Sequence, residues 1–159
     1  MSKIRWSVIG TGSIANAFAH SIKHCKHSEL IAVFGRNNEA LQTFSEKFDV
    51  VGVNDIDELV SSNKIDAIYI ATPHSSHFEY ALLAIKNNKH VLCEKPITMN
   101  HIESMVLFGL AKDFGVFLME AYMYRTHPQT FNILKNIERL CGTDEKVEIN
   151  SSFGFQAEI

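Results

Sequence analysis

Paired cysteines, long apolar runs and an excess of charge of either sign are all missing from this chain. Cys25, Cys93 and Cys141 are odd in number and far apart. That suits reduced thiols in a cytoplasmic protein better than a disulfide framework. The longest apolar runs are strand-length, so no transmembrane helix is expected. Met1-Ser2-Lys3-Ile4-Arg5-Trp6 enters a strand pattern directly, without the apolar stretch of a secretory signal. A formal charge of -3 gives no reason to expect nucleic acid or a membrane as partner. Internal repeats, low-complexity tracts, a Walker loop, a Ser-His-Asp arrangement and a paired-cysteine zinc pattern are absent too.

What remains is 159 residues, 46% apolar and 21% charged, enough for one domain or for one domain and part of a second. Short β-rich runs alternate with stretches of helical spacing. The expected strands are Ile4–Ile9, Leu30–Phe34, Val50–Val53, Ala67–Ala71, His90–Leu92 and Val116–Met119. Helices are expected over Ile14–Lys23, Glu39–Phe48, Ile56–Val60, Phe78–Lys86 and Ile102–Lys112. Continuous apolar strands separated by helices imply βαβ units and a parallel sheet covered on both faces. Right-handed crossovers then give a doubly wound α/β fold of the Rossmann kind.

Beyond Met119 the pattern changes. Thr126-His127-Pro128 opens a helix with Phe131, Leu134, Ile137 and Leu140 at helical spacing, and Gly142-Thr143 ends it. Lys146–Phe155 alternates like a half-buried antiparallel strand, which cannot bury its face alone. Residues 1–120 therefore read as one Rossmann-type domain, and residues 121–159 as a linking helix and first strand of a truncated α+β domain. The exposed edge and apolar face of that strand suggest a homo-oligomer.

Four segments carry candidate chemistry. Gly10-Thr11-Gly12-Ser13-Ile14-Ala15 is G-x-G-x-x-A between the first strand and the first helix. There Gly10 makes the turn, Gly12 admits a pyrophosphate to the backbone, and the helix N-terminus, with Ser13 and Ile14, receives its charge. The second strand ends Phe34-Gly35-Arg36-Asn37-Asn38, without the acid that would hold a ribose 2′-hydroxyl. Arg36 offers a cationic fork suited to a 2′-phosphate, which favours NADP over NAD, although a solvated turn arginine would look the same. Ala71-Thr72-Pro73-His74 ends the fourth strand on the same rim, and His77 begins the next helix. Thr72 and its neighbours could line a dinucleotide; His74 could equally be a loop residue and His77 a helix cap.

Cys93-Glu94-Lys95-Pro96 ends the fifth strand. Ligands of open α/β sheets bind beyond the carboxyl ends of the strands, and a following proline restricts Lys95 to extended geometry. Lys95 is thereby aimed at a crevice where its amine can meet a substrate oxygen. His20, His24 and His27 follow helical spacing near the end of the first helix. Cationic groups are expected there from the helix dipole, and with no acid or second cysteine beside them no metal site is assigned.

Taken together, Val8-Ile9-Gly10-Thr11-Gly12-Ser13-Ile14-Ala15, Ala71-Thr72-Pro73-His74 with His77, His90-Val91-Leu92-Cys93-Glu94-Lys95-Pro96 and Met119-Glu120-Ala121-Tyr122-Met123-Tyr124-Arg125-Thr126-His127-Pro128 resemble the Gfo/Idh/MocA family of NAD(P)-dependent oxidoreductases, in its dihydrodiol, xylose and glucose–fructose branch. The resemblance implies hydride transfer between NADP, with NAD as the alternative, and a sugar, polyol or diol hydroxyl. It implies that Lys95 is catalytic, that the Lys95–Pro96 bond is a candidate cis bond, and that Arg125 returns to the nicotinamide side. The cofactor surface so implied comprises Gly10, Gly12, Ser13, Ile14, Arg36, Ala71, Thr72, Pro73, His74, His77, Glu94, Lys95 and Arg125. Family members continue into a large antiparallel sheet that covers the cleft, of which only the lead-in is present here. A non-catalytic dinucleotide-sensing module and an inactive fragment remain as other readings.

Overall fold

The computed structural model describes residues 3–141. Its centre is a sheet of six strands: β1 (Ile4–Ile9), β2 (Ser28–Phe34), β3 (Val51–Val53), β4 (Ala67–Ile70), β5 (His90–Cys93) and β6 (Leu118–Glu120). They lie in the order β3-β2-β1-β4-β5-β6, and every pairing is parallel. The helices between them are α1 (Ser13–Ile22), α2 (Asn38–Phe48), α3 (Ile56–Ser61), α4 (His77–Lys86) and α5 (His101–Asp113). This is the expected doubly wound sheet, with its order reversing between β1 and β4.

Successive strand residues point to opposite faces, so neighbours such as Val8 and Ile9 feed two separate cores. Val8, Val33 and Tyr69 pack with Ala15 and Ala19 of α1 and Leu41, Phe44 and Phe48 of α2. Ile9, Ile68, Ile70 and Val91 pack with Leu59 of α3, Ile85 of α4 and Leu107 of α5. Each large side chain buried this way stabilises the fold by about 1.5–3 kcal/mol relative to leaving it in water.

Several boundaries differ from the sequence expectation, for local reasons. β2 begins at Ser28 because Ser28 and Glu29 pair with Ile4 and Arg5, a polar start that hydrophobic patterning misses. β6 begins at Leu118 because the Val116 amide closes the end of α5 on Ala111 O at 2.9 Å. A 3₁₀ turn, His74–Ser76, precedes α4 and starts it at His77.

The chain divides into two compact units, Met1–Ala121 and Tyr122–Ile159. In the second, a 3₁₀ turn over Met123–Thr126 leads to α6 (Pro128–Cys141). Pro128 occupies the first helical position, where a missing N–H costs nothing, and the Thr130 hydroxyl donates to Tyr124 O at 2.6 Å. The strand expected over Lys146–Phe155 lies outside the described residues, as do the side chains of Ile137 and Leu140. Among the described residues, no helix is long and apolar enough to cross a membrane.

Candidate functional site

The carboxyl ends of β1, β2, β4 and β5 form one rim, and the point where strand order reverses lies within it. Gly10 leaves β1 at φ +115°, a conformation that L side chains avoid. A Cβ there would sit 2.4 Å from Ala71 O, so glycine is required both for the turn and for the contact with the end of β4. Gly12 is the N-cap of α1, with no side-chain cap and no acid in the first helical turn. A Cβ built on Gly12 would meet nothing within 4 Å. Free amides, the positive helix end and open space are what a pyrophosphate needs.

Asn16 braces this turn from within α1. Its Nδ2 donates to Thr11 O at 3.2 Å and Gly12 O at 3.0 Å, and its Oδ1 accepts from Lys47 Nζ of α2 at 2.8 Å. Sequence reasoning missed this brace, because one asparagine in a helix and one lysine in another carry no shared motif.

A cleft of about 290 Å³ opens above the turn, lined among others by Gly10, Gly12, Phe34, Arg36, Thr72 and Tyr80. Gly35 lies against Thr11, whose methyl would be 2.9 Å from an added Cβ, and exposed Arg36 follows it. Asn37 caps α2 by accepting from the Ala40 amide at 2.9 Å. No carboxylate stands in the strand end itself, and Glu39 is the first acid, in the first turn of α2.

After β4, Ala71 is buried, Thr72 is half-buried, and Pro73 and His74 are exposed. His77, expected on the cofactor surface, is instead 0% exposed. Its Nδ1 lies 2.8 Å from Pro96 O and its Nε2 lies 2.9 Å from Thr72 O. With both ring nitrogens occupied by backbone carbonyls, it reaches a ligand only through those two loops.

At the end of β5, the Glu94 amide extends the ladder to Ile70 O at 2.9 Å. The Tyr69 hydroxyl, from the neighbouring strand, donates to Glu94 Oε1 at 2.6 Å. Burial, then the bond to Glu94, pushes the Tyr69 phenol well above its ordinary range, so it remains a donor. A tyrosine inside a continuous apolar strand reads as core, which is why the sequence did not reveal it. Lys95 follows, exposed, and the Lys95–Pro96 bond is cis, as the resemblance implied. Glu120 at the end of β6 accepts from the Ile97 amide at 2.8 Å, securing the chain just past the proline. Burial, reinforced by Glu94 and Glu120, pushes the Cys93 thiol up to about 12.

Of the candidate residues, Gly10, Gly12, Arg36, Ala71, Thr72 and Pro73 line the cleft. Ser13 and Ile14 stand exposed in the first turn of α1. His74 follows the carboxyl end of β4, Glu94 and Lys95 follow that of β5, and Arg125 belongs to the second compact unit.

A parallel doubly wound sheet with a glycine turn and an uncapped helix N-terminus at its switch point defines a dinucleotide-binding domain of the Rossmann class. The chain belongs to the Gfo/Idh/MocA family: the model of that oxidoreductase family, with its NAD-binding Rossmann fold, matches residues 4–122. Scyllo-inositol 2-dehydrogenase (NADP⁺) of Bacillus subtilis is 35% identical over 138 residues, covering 86% of this chain and 42% of the relative. D-xylose 1-dehydrogenase (NADP⁺) of Hypocrea jecorina is 33% identical over 147 residues, covering 82% and 37%. A 3-ketoreductase from Actinomadura kijaniata, solved with NADP and 29% identical, superposes with a TM-score of 0.80 over 87% of this chain and 44% of that one. The chain thus spans about two fifths of the length of the curated relatives it matches.

Proposed function

We propose that this chain is the cofactor-binding part of an NADP-dependent oxidoreductase acting on a hydroxyl of a sugar, polyol or diol. The observation that carries the reading is the sharing of one rim by the glycine turn, Arg36 and Lys95. The dinucleotide fits the residues present, since the space off Gly12 is open and the α1 amides are uncapped. The names of the two dehydrogenase relatives, and the NADP bound by the ketoreductase, favour the phosphorylated cofactor.

When bound, the nicotinamide supplies a hydride acceptor or donor at C4. The chain's own residues do the rest. Gly12 and the α1 amides hold the pyrophosphate, Arg36 pairs with the 2′-phosphate, and Thr72 and Pro73 border the cleft. As a carbinol is oxidised, Lys95 would accept its O–H proton. In reduction the Lys95 ammonium returns that proton to the forming alkoxide.

Fluorescence titration with NADP and NAD tests this directly. NADP should bind more tightly, and Arg36→Ala should cost NADP about 1–3 kcal/mol, the range for a hydrogen bond to a charged group, while barely affecting NAD. Equal affinities would remove the NADP preference. Failure to bind either cofactor would remove the whole reading.

A further inference from the structure

The rim after β4 and the rim after β5 are tied together by one buried side chain. Thr72, in the first loop, borders the cleft, and Pro96, in the second, immediately follows Lys95. Neither carbonyl belongs to the sheet ladder, because β4 ends at Ile70 and β5 at Cys93. Both instead face His77, at 2.9 Å and 2.8 Å. A neutral imidazole donates to one of the two carbonyls and a doubly protonated ring to both. His77 opens α4, whose Ala81, Ala84 and Ile85 are each 0% exposed in the core. The edge of the His74 ring packs against it, with centroids 5.5 Å apart. The two loops therefore share His77 as a common point of attachment.

We propose that His77 is a positioning residue that sets the Thr72 and Pro96 carbonyls, and with them the cofactor border and Lys95, in mutual register. The proposal deepens the NADP-site reading and rests on it. His77 touches neither the cofactor nor the substrate. Its effect comes from geometry, and a misplacement of about 1 Å in such a site can cost on the order of a hundredfold in rate.

Two variants separate placement from space filling. His77→Phe keeps a ring in the cavity but removes every donor, and His77→Gln retains an N–H for one carbonyl. Each is measured beside the unmodified chain by NADP titration and by backbone amide exchange. The expected result is a loss of NADP affinity of about tenfold or more in His77→Phe, with His77→Gln between it and the unmodified chain. Amide exchange should quicken at Ser76, whose N–H donates to Pro73 O, and at Ile97, whose N–H donates to Glu120 Oε1, and stay unchanged at Val8, Val33 and Ile68 in the sheet. NADP affinity within twofold in His77→Phe overturns the proposal. So does exchange that quickens evenly across the sheet, the mark of a merely structural role. If the unmodified chain binds no nicotinamide dinucleotide, the functional reading fails by itself, and local exchange at Ser76 and Ile97 alone decides whether His77 ties the loops.

Discussion

At Gly10 two demands meet in one residue, a φ of +115° and contact with Ala71 O. Gly10→Ala should destabilise the chain by about 1–3 kcal/mol, the range for a residue held in a sparsely populated backbone region. Displacing the turn should abolish NADP binding as well. Urea midpoints and a titration check this, and a variant matching the parent in both would refute it. Lys95 calls for the opposite pattern. In a full-length relative that carries this segment, the change corresponding to Lys95→Met should leave NADP affinity within a few-fold while kcat falls by on the order of a hundredfold or more, if Lys95 makes the proposed proton-transfer contact. Turnover that survives nearly intact would end the catalytic assignment. The turn at Gly10 and the place of Lys95 just past β5 were legible in the sequence, since each belongs to a run whose neighbours state its context: strand before, helix or proline after. His77, Tyr69 and Asn16 were not legible in these roles, because their partners are backbone carbonyls or residues up to 31 positions away, and backbone atoms leave no mark in a residue pattern.

The elements themselves were largely readable, because six apolar runs in a parallel sheet covered on both faces contrast with amphipathic helices. Their polar ends were not. At the amino end of the sheet, β1 and β4 are clamped by such a polar pair. Arg5 donates to Asp66 from Nη2 at 2.6 Å, from Nε at 2.9 Å and from its backbone amide at 2.8 Å. The Arg5 hydrogen bonds hold the Asp66 carboxyl down at about 2, against an ordinary value of 3.8. Just before β5, buried Lys89 donates to Ser62 O at 2.6 Å and Ile65 O at 2.9 Å, and desolvation lowers its amine below the usual lysine range. A carboxyl whose folded pKa is depressed stabilises fully above its unfolded pKa, and that contribution is lost as pH falls through the folded value. The Asp66 contribution should therefore be complete above about pH 4 and nearly gone at about pH 2. Asp66→Asn should lower the urea midpoint at pH 7, and the gap from the parent should narrow between pH 4 and pH 2. A gap of constant size across that range would show that the carboxylate charge is not what matters.

For the whole molecule, the question is whether the first compact unit is sufficient for the cofactor. Met1–Ala121 contains all six strands, both cores and every candidate cofactor residue except Arg125. Its sheet is covered on both faces by its own helices, which bury both cores. A fragment ending at Ala121 should therefore unfold in one cooperative urea transition. It should also retain NADP affinity to within a few-fold, since the proposed function assigns both the pyrophosphate and the 2′-phosphate to residues of this unit. Arg125 provides the contrast: if it holds the nicotinamide end, as the family resemblance implied, the fragment should lose affinity by the same factor as Arg125→Ala in the longer chain. Matching losses would assign Arg125 to the cofactor. A loss in the fragment alone would assign the missing contact to another residue beyond Ala121, and a broad, non-cooperative transition would refute the independence of the first unit.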